Sequence, residues 1–169
     1  MEYEASEIVL KGGARGLVIN IPSATIMSSQ FHFHAGSRFV EDYRTKWETA
    51  HIMEHMAFGA NNGYKTAQEY DTVFTQNGAY FNAYTSDTAM CYIAECADFE
   101  WDRILELQRS AICEPLFKRA EFDGEYGNVK SELTGYLSQP ERVLWSKMSQ
   151  EIGEDSLTYA ERLTIMPNI

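Results

Sequence analysis

Thr49-Ala50-His51-Ile52-Met53-Glu54-His55-Met56 is the stretch on which the reading of this chain turns. His51 and His55 are four residues apart, so on an α-helix their imidazoles leave one face on successive turns, with Glu54 beside them. Two neutral imidazoles at that spacing can hold one metal ion, and the carboxylate between them can take a proton from water on that ion. The bland alternative is a pair of surface histidines on an amphipathic helix. The chain has 4 His in all, and two of them flanking a Glu in the order H-x-x-E-H favours the metal reading.

Working outward, the helix carrying the motif is expected from near Thr45 to about Phe58, where Gly59 and Asn61-Asn62-Gly63 stop it. Upstream, Glu7 to Ile21 reads as a hairpin around the Gly-rich turn Lys11-Gly12-Gly13-Ala14-Arg15-Gly16. Ser28 to Ala35 alternates as a third strand, with Phe31 and Phe33 on one face and His32 and His34 on the other. Downstream, Thr66 three before Glu69 predicts a capping box and a helix ending at Asn77-Gly78. Two aromatic-rich antiparallel strands follow, Ala79–Thr85 and Ala89–Cys96, joined by a turn at Ser86-Asp87.

Phe99 to Ile112 has helical spacing and meets Pro115. Lys118 to about Leu137 is a long, mostly polar helix carrying Glu121, Asp123, Glu125 and Glu132, of which Glu125 and Glu132 share a face at a spacing of two turns. A further helix follows Pro140, and Thr158 with Glu161 makes a second capping box before a short helix that meets Pro167. No internal repeat and no linker divides the chain, which reads as one domain over residues 1–169.

Composition narrows the function classes. The chain has 169 residues, is 44% hydrophobic and 13% aromatic, and carries a net charge of −11. Such a chain is neither disordered nor low in complexity. With 25 acidic against 14 basic residues, no continuous basic face is available to neutralise phosphates, which argues against nucleic acid. The same balance hints at basic substrates. Cys91, Cys96 and Cys113 contain no C-x-x-C pair and read as reduced thiols. The acidic N-terminus lacks an apolar core, so no secretory signal is expected, and no apolar run nears the roughly 20 residues that span a bilayer. The chain is expected to be cytoplasmic.

A catalytic zinc takes three protein ligands and leaves a position for water. The residues leave the third ligand open among the four acidic groups of the long helix, the thiols, and His32 or His34. A carboxylate is favoured, because a His2Glu set suits hydrolysis near neutral pH. If one of Glu125 and Glu132 binds the ion, the other is placed to orient a ligand or the water.

At this point the chain resembles a known family, the M16 pitrilysin/insulinase metallopeptidases, or inverzincins, which include the mitochondrial processing peptidase. The likeness rests on Ala35-Gly36-Ser37-Arg38, on His51 to Phe58, on Gly78 with Asn82-Ala83-Tyr84-Thr85, and on Pro115-Leu116-Phe117 followed by Glu121, Glu125, Val129 and Glu132. Between His55 and Glu132 lie 76 residues (132 − 55 − 1), the spacing the family pattern asks for. The resemblance implies an α+β domain similar to the LuxS/M16 metallopeptidases, two layers with helices packed on a mixed, mainly antiparallel sheet. It implies zinc held by His51, His55 and Glu132, Glu54 as general base, Glu125 as an auxiliary carboxylate, and Asn82 and Ala83 docking an extended peptide as an added strand.

The exit Phe58-Gly59-Ala60-Asn61 departs from the family's usual Phe-x-Gly-Thr. Members of the family resemble paired homologous domains that close like a clamshell, and this chain covers most of one. It is therefore expected to be an N-terminal catalytic domain, truncated near its C-terminal end, whose chamber a second M16-like domain or subunit completes. Peptide-bond hydrolysis is the implied function. The alternative is a non-catalytic zinc-binding or assembly subunit, which loss of Glu54 or of a ligand would have favoured. A structural module without metal is the third reading, and it needs several coincidences at once.

Overall fold

The computed structural model describes residues 2–154 and 156–169. Strands β1 (Glu4–Val9) and β2 (Arg15–Asn20) form the expected hairpin, with Val9 opposite Arg15. Its turn places Gly13 at φ +85°, a conformation that costs a residue without a Cβ little. Strands β3 (Ile26–Phe33), β4 (Tyr80–Thr85) and β5 (Met90–Ala97) form a second sheet in the order β3-β5-β4. Every pairing between the described strands is antiparallel, so the mixed character expected of the sheet is not seen among them.

Alternation along β5 explains the layering. Met90, Tyr92, Ala94 and Cys96 are buried against helices, whereas Ile93 and Glu95, on the other parity, are partly or fully exposed. Helices α3 (Ala67–Phe74) and α4 (Trp101–Cys113) cover one end of this face, where Tyr70, Phe74, Ala94, Ile104 and Leu107 form a core. At the other end Ala50 and Ala57 meet Met90 and Tyr92. The result is the expected α+β domain, with helices on one face of the three-stranded sheet.

The motif helix is shorter than expected. A single turn, α1 (Tyr43–Lys46), is followed by α2 (Thr49–Ala57), and Trp47 and Glu48 lie between them, 2% and 0% exposed. The long acidic helix is α5 (Arg119–Leu137), followed by α6 (Pro140–Glu151) and α7 (Tyr159–Ile165). Thr158 and Glu161 complete the predicted capping box of α7. At α3 only half of the predicted box forms. The Thr66 hydroxyl accepts from the Glu69 N–H at 3.1 Å, but Glu69 accepts from the N–H of Lys65 at 2.8 Å instead of that of Thr66. Among the described residues no helix is long and apolar enough to cross a membrane.

One glycine is needed by close approach to backbone, and a second leaves room for a side chain. A Cβ on Gly36 would lie 2.4 Å from the backbone nitrogen of Thr88, so the exit of β3 can pass the β4–β5 turn only at glycine. There Arg38 pairs with Asp87 at 3.3 Å. A Cβ on Gly59 would lie 2.8 Å from Glu121 Oε2, whose carboxylate accepts from the Ala60 N–H. This contact accounts for the Gly59-Ala60 exit of the motif helix: the chain turns there under the first turn of α5.

Candidate metal centre and substrate groove

Helix α2 is wedged between the sheet and α5, and its three faces divide the work. Ile52 and Met56 pack on Val129 and Leu133 of α5 with Met166. Ala50 and Ala57 turn to the sheet. The remaining face carries His51, Glu54 and His55 into an open groove of about 640 Å³. The periodicity of the motif therefore serves packing and chemistry at once.

His51, His55 and Glu132 each offer a ligand atom, all within 4.8 Å of one another. Both Nε2 atoms face the same carboxylate oxygen, Glu132 Oε2, at 3.5 Å from His51 and 3.8 Å from His55. Three ligands on a tetrahedral zinc with bonds of about 2.0–2.1 Å lie roughly 3.3 Å apart, so this donor set fits the ion with small adjustments. The other ring nitrogens are occupied. His51 Nδ1 lies 3.0 Å from Glu48 Oε2, and His55 Nδ1 lies 2.9 Å from Glu125 Oε2. An Nδ1–H held by a carboxylate leaves Nε2 with its lone pair toward the metal position. Asn128 adds a bond to the same Glu125 oxygen at 3.0 Å.

The charges follow from these contacts. Burial opposes protonation of His51, but the carboxylates of Glu132 and Glu48 outweigh it and raise the imidazole to about 9. Hydrogen bonding to His51 carries Glu132 down to about 2, against partial burial, with the Tyr136 hydroxyl donating to its second oxygen. A proton on His51 thus occupies the position that a cation would take. Glu54 is 6% exposed, and burial raises its carboxyl; the Thr85 hydroxyl, donating at 2.5 Å from the end of β4, offsets part of that rise.

Among the described residues this is the one cluster of three metal-capable side chains close enough to share an ion. The four acidic groups of α5 have separate tasks: Glu121 holds the Ala60 loop, Asp123 pairs with Arg119 at 3.0 Å, Glu125 holds His55, and Glu132 joins the triad. Cys91 and Cys96, five residues apart on β5, face opposite sides of the sheet and form no pair. His32 lies instead against the Cys91 thiol at 3.4 Å.

Asn82 and Ala83 line the same groove from β4, whose outer edge pairs with no described strand. Ala83 packs on the α2 side of the sheet, whereas by alternation Asn82 points its side chain to the far side, where its amide donates to the Tyr80 hydroxyl at 2.8 Å. The opposite wall of the groove is built by Tyr136 of α5, Arg142 of α6, and Tyr159 and Arg162 of α7. Glu48, fully buried, is the site residue that the motif reading missed. Its spacing of three residues before His51 was the one available signal, because its other partner, Arg162, comes from the far end of the chain.

A model of the insulinase peptidases, family M16, matches residues 16–159. The chain belongs to this family. Among curated M16 relatives it is 28% identical over 111 residues to an uncharacterized zinc protease of Bacillus subtilis, YmxG, covering 65% of this chain and 27% of that protein. It is 24% identical over 143 residues to the beta subunit of the mitochondrial-processing peptidase of Caenorhabditis elegans, covering 85% and 30%. It is also 24% identical over 121 residues to core protein I of the ubiquinol-cytochrome-c reductase complex of Euglena gracilis, covering 68% and 24%. The chain thus spans less than a third of these relatives. Its M16 fold is matched by pitrilysin, with a TM-score of 0.80 at 22% identity over 89% of this chain and 16% of that one. A protease from Helicobacter pylori gives a TM-score of 0.68 at 23% identity over 77% and 31%.

Proposed function

We propose that this chain is the catalytic domain of a zinc-dependent endopeptidase that hydrolyses extended peptides. The observation that carries the reading is the convergence of both imidazole Nε2 atoms on one Glu132 oxygen, with the buried Glu54 on the same groove face. His51, His55 and Glu132 would hold the ion, which when bound polarises a peptide carbonyl and acidifies water.

The chain's own groups do the rest. Glu54 takes the proton of the attacking water on one carboxylate oxygen and later gives it to the departing amine, a role suited to a carboxyl raised by burial. Thr85 fixes the other oxygen and so aims the base. Glu125 keeps the His55 ring in register. An extended peptide adds to the outer edge of β4, with Ala83 beneath it and the backbone of Asn82 alongside, while Tyr136 and Tyr159 flank it across the groove.

A second M16-like domain or subunit that completes the chamber is part of this proposal, in keeping with a relative named as a subunit of the mitochondrial-processing peptidase. A non-catalytic assembly role is the competing reading, suggested by the reductase core protein among the relatives. Presence of all three ligands and of Glu54 speaks for the peptidase. The deciding comparison is Glu54→Gln against the unaltered chain, by elemental zinc analysis and by mass spectrometry of an incubated mixture of unstructured peptides, with and without a partner half. We expect about one zinc per chain in both proteins and cleavage only with Glu54. Loss of zinc in Glu54→Gln, or equal cleavage by both, would defeat the assignment of Glu54 as base.

A further inference from the structure

Glu48 is a carboxylate with no exposed surface, and burying a charge is costly unless every oxygen is satisfied. Both are. Oε1 accepts from Arg162 Nε at 2.5 Å, and Oε2 accepts from Arg162 Nη2 at 3.0 Å while lying 3.0 Å from His51 Nδ1. Arg162 is itself largely buried and belongs to α7, 114 residues further along the chain. A clamp that merely docked α7 would have no reason to share an oxygen with a ligand imidazole. The contact is also the counterpart of the Glu125 contact on His55, so each histidine has its own carboxylate.

We propose that Glu48 and Arg162 are positioning residues of the metal centre: Glu48 orients His51 through Nδ1, and Arg162 holds Glu48 where it can do so. The inference rests on the zinc reading above and extends it to a pair that the H-x-x-E-H pattern does not contain. It makes the ligand geometry depend on the docking of α7, which also supplies Tyr159 and Arg162 to the groove wall. Assembly of the ligand set is thereby tied to a helix that follows the ligand helix by more than 20 residues.

The test uses the whole chain with Glu48→Gln, Arg162→Met, the double variant, and Glu106→Gln as a surface control. Zinc affinity is read by competition with a chromophoric chelator, and ligand geometry by the visible absorption of the cobalt(II)-substituted protein. Glu48→Gln and Arg162→Met should each weaken zinc about 10–100-fold and alter the cobalt spectrum, the range typical of groups that orient a metal ligand. In the double variant the loss should fall well short of the product of the two single losses, because the second change removes an interaction already broken.

Wild-type affinity and an unchanged cobalt spectrum in folded Glu48→Gln would overturn the proposal and leave the pair as a dock for α7. Should either single variant fail to fold, the double variant, which leaves no unpaired buried charge, decides in the same way. A wild-type chain that takes up no zinc overturns the peptidase reading, and this inference falls with it.

Discussion

At the scale of single residues, the site is a set of carboxylates with distinct duties. Glu132 faces both imidazoles, so Glu132→Gln should lose most of its zinc on dialysis, measured by elemental analysis; retention of a full equivalent would remove it from the ligand set. Glu125 touches only the far side of His55. Glu125→Gln should therefore keep zinc at micromolar metal and slow turnover about 10–100-fold. If Glu125→Gln emptied the site while Glu132→Gln did not, their roles would be exchanged. Thr85→Val removes a hydrogen bond that favours the ionised form of Glu54, so the carboxyl should rise further. In the proposed role of Glu54 the base works deprotonated, so the acidic limb of the kcat/KM profile should move to higher pH, and an unmoved limb would count against that role or against its contact with Thr85.

At the scale of elements, predictions concern how the pieces that carry these residues are held. Gly36→Ala drives a Cβ into the backbone of the β4–β5 turn, a few residues from Thr85. Forced overpacking of this kind costs about 1–3 kcal/mol, to be read from urea denaturation; a loss below half of that would mean the turn yields easily. Thr158→Ala removes the reciprocal cap of α7 and should cost about 1 kcal/mol. In sequence, the caps were legible where both partners lie within one turn, as at Thr158 and Glu161. At Thr66 the same pattern misled by one residue, because the Glu69 side chain could reach the preceding N–H as easily. The motif helix, expected from near Thr45, is instead interrupted at Trp47 and Glu48, two buried residues that separate α1 from α2.

For the whole molecule, the metal-free state has a definite electrostatic signature. His51 is raised to about 9 from an ordinary value of 6.5. A group raised on folding contributes stability that is complete below its unfolded value and is lost as pH climbs through its folded one. Thermal unfolding in chelator should therefore fall between about pH 6.5 and 9, while saturating zinc, which replaces that proton, should remove the trend and raise the midpoint throughout. A metal-free midpoint that rose across this window would contradict the pairing of His51 with Glu132 and Glu48.

What the amino-acid order determined by itself was the chemistry that is local or periodic. H-x-x-E-H on a helix, two carboxylates seven apart on a second one, an alternating aromatic strand and a hairpin turn each follow from dihedral and side-chain periodicities that need no knowledge of the rest. The α+β class and the set His51, Glu54, His55 and Glu132 followed from these together with a family resemblance. Tertiary structure alone decided that the carboxylate of Glu125 meets the Nδ1 side of His55 and that Arg162 of α7 closes on the buried Glu48 behind His51. These depend on distances between elements 70 to 114 residues apart, and such distances are set by how the faces of α2, α5 and α7 pack, a property no single segment carries.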